Sequence, residues 1–133
     1  MGKDQVVLFV CQHGAAKSVL AAELLSRRVA GLHLPVTVRS AGVEPDAVVS
    51  DRLLDLFPDR ARELAARRPR RVKGEDVQDA SIVVTFNVVA DSLPASPGHQ
   101  LSWDDVPPVS EDPAGARAAI ERHIDALVEV LDP

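Results

Sequence analysis

The only cysteine of this 133-residue chain, Cys11, ends an apolar run, Val6-Val7-Leu8-Phe9-Val10, and is followed by the small residues Gly14-Ala15-Ala16 and then by Lys17-Ser18. Val19-Leu20-Ala21-Ala22-Glu23-Leu24-Leu25 comes next, a strong helix former with apolar residues at helical spacing. A cysteine between a strand and a helix has chemical consequences. N–H groups of the loop and of the first helical turn lack intrahelical partners, and the helix dipole adds about half a positive charge there. A tetrahedral oxyanion fits such a place, and the same field favours the thiolate, the nucleophilic form of cysteine. Cys11 therefore reads as a nucleophile lying under a bound oxyanion. The competing reading is a buried, inert cysteine that packs as a small hydrophobe.

The elements that must hold Cys11 there follow in order. Val6 to Val10, rich in β-branched side chains, reads as a strand buried on both faces, as in parallel sheets covered by helices. Gly31 marks a stop for the first helix, and Leu34 to Ser40 returns as a second strand, completing a right-handed βαβ unit. Ser40-Ala41-Gly42 then lies at a strand's C-terminal end, where open α/β sheets bind ligands. Ser40 there supports the Cys11 loop, while Ala41 and Gly42 read equally as a turn that needs little bulk. Asp46 to Phe57 and Asp59 to Ala66 read as two short helices separated by Pro58, and Ala80 to Thr85 as a third buried strand reached through Glu75-Asp76-Val77. Asn87 to Asp91 is helical or looped, Ser92 to Gly98 a loop, and His99 to Trp103 a short fourth strand.

Asp104 to Asp112 is acidic, and Pro107-Pro108 forbids helix and regular pairing within it. From Asp112-Pro113 a last helix carries one apolar face: Ala116, Ala119, Ile120, Ile124, Leu127, Val128 and Leu131. Asp before Pro is also a common helix start, so an N-cap competes with catalysis at Asp112. Arg60, Arg62, Arg67, Arg68, Arg70, Arg71 and Lys73 form an uneven basic stretch in an acidic chain. It reads either as long side chains on a solvated helix or as a patch that attracts an anion.

At 46% hydrophobic and 26% charged residues, with a formal charge of −5, the chain fits a globular protein without general affinity for nucleic acid. Three Phe, one Trp and no Tyr leave little for base stacking. Residues 1–133 are expected to form one domain, burying about two-thirds of the unfolded surface. Met1-Gly2-Lys3-Asp4-Gln5 has no leader pattern, no run is long enough to span a membrane, and one cysteine forms no internal disulfide. A cytoplasmic protein without membrane or nucleic-acid partners is expected. His13, His33, His99 and His123 show no ligand-like spacing, so no metal or other cofactor is expected.

The strand-Cys-X5-basic-Ser-helix arrangement from Cys11 to Lys17-Ser18 resembles the phosphate-binding loop of the low-molecular-weight protein tyrosine phosphatase and arsenate reductase superfamily. The resemblance continues through Ser40 to Asp46, Ile82 to Phe86, and Trp103 to Ala114 with the helix after it, and is nearer to the arsenate reductase branch. It implies a flavodoxin-like α/β fold, a four-stranded parallel sheet of order 2-1-3-4 with helices on both faces. It also implies a cysteine-dependent phosphatase that passes through a thiophosphoryl enzyme on Cys11. The N–H groups of Gln12, His13, Gly14, Ala15, Ala16, Lys17 and Ser18 then hold phosphate, sulfate or arsenate. Ser18 reads as a donor to the sulfur or as an ordinary helix-start serine. The family's general acid lies in an Asp-Pro element, which Asp112-Pro113 matches best; Asp105 is the second candidate, nearer to Trp103.

Two departures from the family pattern matter. Lys17 stands where the family's loop normally ends in arginine. Asn87 and Leu93 stand where thioredoxin-coupled reductases carry further cysteines. Arsenate reduction with an external small thiol is the alternative within the class, and an oxyanion-binding module without turnover is the alternative that Lys17 keeps open.

Overall fold

Val7, Leu8, Phe9 and Val10 have no exposed surface, which places β1 (Gln5–Cys11) in the middle of the sheet. The structure, a computed structural model, describes residues 4–132; Met1-Gly2-Lys3 of the N-terminal stretch lies outside the described residues. β1 pairs in parallel with β2 (Val36–Gly42) on one side and with β3 (Ile82–Phe86) on the other, and β3 pairs in parallel with β4 (Gln100–Ser102). The order is β2-β1-β3-β4, the expected flavodoxin-like arrangement. Its register sets Cys11 between Gly42 and Phe86, so three strand ends meet at the edge where such sheets bind ligands.

Alternation along β1 divides the core. Val7 and Phe9 face a cluster with α1 (Lys17–Gly31), α2 (Asp51–Asp55), α3 (Ala61–Ala65) and α5 (Pro113–Leu131). Leu8 and Val10 face Val72, Val83, Leu93 and Val77, the last on α4 (Gly74–Asp79). Helices thus cover both faces, and each face removes its apolar side chains from water. The expected apolar face of α5 is buried throughout except at Val128, which is partly buried. Among the described residues no helix is long and apolar enough to cross a membrane.

Four local readings change. Gly31 is the last residue of α1 rather than its stop; the left-handed turn falls at His33, with φ 56°, after the Leu32 N–H has closed the helix onto Arg28 O. β2 accordingly starts at Val36 and runs on through Ala41-Gly42. Asp46 to Ser50 is loop, not helix, because its N–H groups are spent on the Cys11 loop: Asp46 N donates to His13 O at 3.0 Å and Ser50 N to Ala15 O at 2.9 Å. Glu75-Asp76-Val77 is not a lead-in to a strand but part of α4, and β3 starts only at Ile82.

Asp76 makes α4 possible. Its carboxylate accepts from the Lys73 N–H at 2.8 Å and from Arg70 Nη1 at 2.9 Å, closing the first turn and tying it to the preceding segment. Burial alone would raise its pKa; the Arg70 and Lys73 hydrogen bonds and the charges of Arg70 and Arg39 outweigh burial and lower it. A carboxylate with a lowered folded pKa stabilises the fold above its ordinary value of 3.8, and that contribution is lost as pH falls through the folded value. Asp76→Asn should cost about 1–3 kcal/mol at neutral pH. The deficit should shrink on acidification below the ordinary carboxylate range, as measured by urea unfolding at several pH values. A deficit that grows with acid would contradict the assignment.

Candidate active site

The loop after Cys11 turns its carbonyls outward and leaves its N–H groups free. Carbonyls of Cys11, Gln12, His13 and Ala15 accept from Val43, Glu44, Asp46 and Ser50 at 3.1, 2.7, 3.0 and 2.9 Å. Among the described residues, no N–H from Gln12 to Ala16 donates to a backbone carbonyl. α1 then begins at Lys17 without a side-chain cap, so its first-turn N–H groups are also unclaimed. The small residues of the loop permit this shape. Gly14 has φ 61° and packs so tightly on β2 that a Cβ there would sit 2.9 Å from Gly42 N, while one on Gly42 would sit 2.6 Å from Gly14 N. Only a pair of glycines allows the two backbones to approach so closely.

Beneath the loop Cys11 is 7% exposed, and its Sγ lies 3.1 Å from Oγ of the fully buried Ser18. When the sulfur is ionised the hydroxyl is the donor of this pair. A cavity of about 340 Å³ opens above the sulfur, lined by the loop, Phe86, Asn87, Pro108, Val109 and Ser110. Ser40 does not face it; Ser40 lines a separate groove behind Gly14.

Lys17 also lines the cavity, and its Nζ donates to Asn87 Oδ1 at 3.1 Å. Asn87 is itself held in a left-handed conformation, φ 56°, by Asp104: its N–H donates to Asp104 Oδ1 at 2.8 Å and its amide to Asp104 O at 3.3 Å. A compact ammonium is thereby aimed from the helix start towards the end of β3. Leu93, by contrast, is buried in the opposite core cluster.

Neither sequence candidate for the acid is among the residues that line the cavity. Asp112 caps α5, its Oδ1 accepting from Gly115 N at 3.0 Å with Pro113 in the first turn. Asp105 lies 2.7 Å from His123 Nε2, and that hydrogen bond holds its carboxyl below the ordinary carboxylate range. His123 in turn stacks on Trp103 at 4.7 Å between centroids. Both aspartates flank the segment whose Pro108, Val109 and Ser110 wall the cavity. One carboxylate does line it, that of Asp46, 3.5 Å from His13 Nδ1. The signal for Asp46 was its place at the end of the Ser40-to-Asp46 stretch of the family resemblance, a few residues after the glycine that ends β2.

A nucleophile-bearing strand, an array of free N–H groups and a helix start define an α/β protein with an oxyanion-binding loop. The chain belongs to the low molecular weight phosphotyrosine protein phosphatase family, whose sequence profile matches residues 6–98. No curated protein sequence matches it. Among solved structures it is similar to the thioredoxin-dependent arsenate reductase of Corynebacterium glutamicum, with a TM-score of 0.75 and 26% identity over 96% of this chain. It spans 61% of the length of that protein. The low molecular weight protein tyrosine phosphatase of T. tengcongensis superposes with a TM-score of 0.75 at 18% identity, covering 96% of this chain and 99% of that one. Vibrio vulnificus Wzb, solved with benzylphosphonate, gives 0.78 at 12% identity over 97% and 100%. The last two likenesses speak for the fold alone.

Proposed function

We propose that the chain is a single-domain, cytoplasmic, cysteine-dependent phosphatase acting on phosphoric monoesters. The observation that carries this reading is the array of unclaimed N–H groups, with every paired loop carbonyl turned away, directly above the Cys11 sulfur. Cys11 Sγ attacks phosphorus in line; the S–P bond forms as the bond to the leaving oxygen breaks, and a carboxylic acid supplies that oxygen's proton. The same carboxylate then takes a proton from water, whose oxygen attacks phosphorus and releases the Cys11 thiolate with Ser18 donating to it. Loop N–H groups from Gln12 to Ser18, with Lys17, neutralise the equatorial oxygens throughout. We assign the acid to Asp112, delivered by closure of the 104–112 segment. An acid must carry its proton when the leaving group departs, and the hydrogen bond to His123 lowers the pKa of Asp105, which disfavours that protonated form.

A second reading is favoured by the likeness to the Corynebacterium arsenate reductase. Cys11 attacks arsenate with loss of water; a small external thiol then attacks the Cys11 sulfur, forming a mixed disulfide while arsenic(V) takes the electron pair and leaves as arsenite. Asn87 and Leu93 supply no second thiol, so thioredoxin alone should not sustain that cycle. Assays of an aryl phosphate, and of arsenate with small thiols, side by side decide between the two. Phosphate release without arsenite formation supports the first reading, and the converse overturns it.

Lys17 limits the rate in this account. Arginine grips two oxygens through a planar fork, whereas lysine offers a point charge on a flexible stem. Lys17→Arg should raise kcat/KM for an aryl phosphate by about tenfold, part of the 100–1,000-fold that a well-placed transition-state donor typically supplies. A fall in kcat/KM would mean that the Asn87 amide and the loop are built for an ammonium.

A further inference from the structure

Behind Gly14, on the other side of the phosphate-binding loop from the Cys11 cavity, a groove of about 370 Å³ runs along the outer edge of β2 and is not used by the chemistry above. Val38, Arg39 and Ser40 form one wall, Arg67, Arg68 and Arg70 the other, and α1 the floor. β2 is an edge strand. Pro35 O accepts from Gln5 N, and Val43 N donates to Cys11 O, so the odd-numbered residues of this strand turn their N–H and C=O groups towards β1. The even-numbered residues turn theirs outward.

Gly42 uses its outward pair: its N–H donates to Arg70 O and its C=O accepts from Val72 N, both at 2.9 Å, in a one-residue parallel bridge to Arg71. Upstream of that bridge, Arg67 and Arg68 line the far wall of the groove instead of continuing the pairing. The outward groups of Val38 and Ser40 are left facing the groove, with no backbone partner among the described residues. A row of unpaired main-chain groups on a sheet edge is a template for another strand.

The charge around this edge is opposite to that of the chain, which carries a formal −5. Arg70 is paired with Asp76, but Arg39, Arg67 and Arg68 form no ion pair among the described residues. The basic stretch noted in the sequence is therefore split. Arg60 serves the buried Glu23 carboxylate and Arg71 donates to Val43 O, while Arg67 and Arg68 are left for the groove.

We propose that this groove docks an extended acidic segment of a partner protein, added as a strand to β2. The segment's main chain pairs with Val38 and Ser40, and its carboxylates meet Arg39, Arg67 and Arg68. Main-chain pairing supplies affinity in such additions, and flanking charge supplies selectivity and rate of encounter. A free oxyanion would use the arginines but leave the strand edge unpaired.

The test uses the whole chain and a labelled synthetic peptide alternating glutamate with valine, read by fluorescence anisotropy and by amide hydrogen exchange. The peptide should bind, bind more weakly as salt rises, and slow exchange at Val38 and Ser40. The double variant Arg67→Glu/Arg68→Glu, exposed positions that leave the thermal unfolding midpoint unchanged, should lose about tenfold or more in affinity. N-methylation of alternate peptide nitrogens should abolish binding. Undiminished affinity in the double variant overturns the proposal. So does equal binding of the N-methylated peptide or of an oligonucleotide of the same charge, because either result would reduce the groove to a patch of charge.

Discussion

Cys11→Ser is expected to lose hydrolysis of an aryl phosphate by on the order of 10⁶-fold, the loss typical when a covalent nucleophile is removed. Binding of phosphate or sulfate should persist within a few-fold. The two effects separate because they rest on different atoms. The anion is held by N–H groups whose orientation comes from the carbonyl bonds to Val43, Glu44, Asp46 and Ser50, none of which involves sulfur. The covalent step needs a thiolate, and a serine hydroxyl beside Ser18 has no base to activate it. Steady-state kinetics and calorimetric titration of the same preparations check both halves. Turnover retained in the serine variant removes the covalent mechanism. Loss of anion binding with the fold intact means that the sulfur, not the loop, organises the site.

The acid gives the second large effect. Protonation matters little for a good aryl leaving group and greatly for an alkyl one, so Asp112→Asn should lower the alkyl rate by about 10²–10⁴-fold and the aryl rate far less. Removing a helix cap alone costs about 1 kcal/mol of stability and treats both substrates alike. Asp105→Asn and Asp46→Asn are the informative controls. Asp105 has its pKa lowered by the hydrogen bond to His123, whereas Asp46 already lines the cavity. A selective loss of alkyl activity in Asp46→Asn, with an unchanged ratio in Asp112→Asn, would move the acid to the loop after β2. It would also make closure of the 104–112 segment unnecessary.

What was legible in the sequence was the part whose physics is local. Val6 to Val10 has to be buried on both faces, Gly14-Ala15-Ala16 has to form a tight turn, and the residues after Lys17 strongly favour helix, so the position of Cys11 at a strand-to-helix turn could be read directly. The apolar face of α5 was equally plain from its spacing. The sheet order came from the family resemblance, and the structure has that order. The misreadings came from long-range hydrogen bonds. Asp46 to Ser50 has a helix-compatible composition, but the N–H groups at its two ends are spent on the Cys11 loop more than thirty residues earlier, Asp46 on His13 O and Ser50 on Ala15 O. α4 looked like a polar linker because its stabiliser, Asp76, is a buried carboxylate whose partners Arg70 and Lys73 precede the helix. The hold of Asn87 on Lys17 spans 70 positions and depends on a left-handed backbone fixed by Asp104, which no periodicity discloses.

The central claim, that Cys11 is the covalent nucleophile of a phosphoryl-transfer cycle, is tested most directly by trapping the intermediate. Protein turning over an aryl phosphate is quenched within a turnover, and its intact mass and peptide map are measured. The account predicts one phosphoryl group per chain, carried on Cys11, absent from Cys11→Ser and increased in amount when the acid that activates water is replaced by asparagine. Turnover without an adduct, or with the phosphoryl group on His13 or another residue, would contradict it.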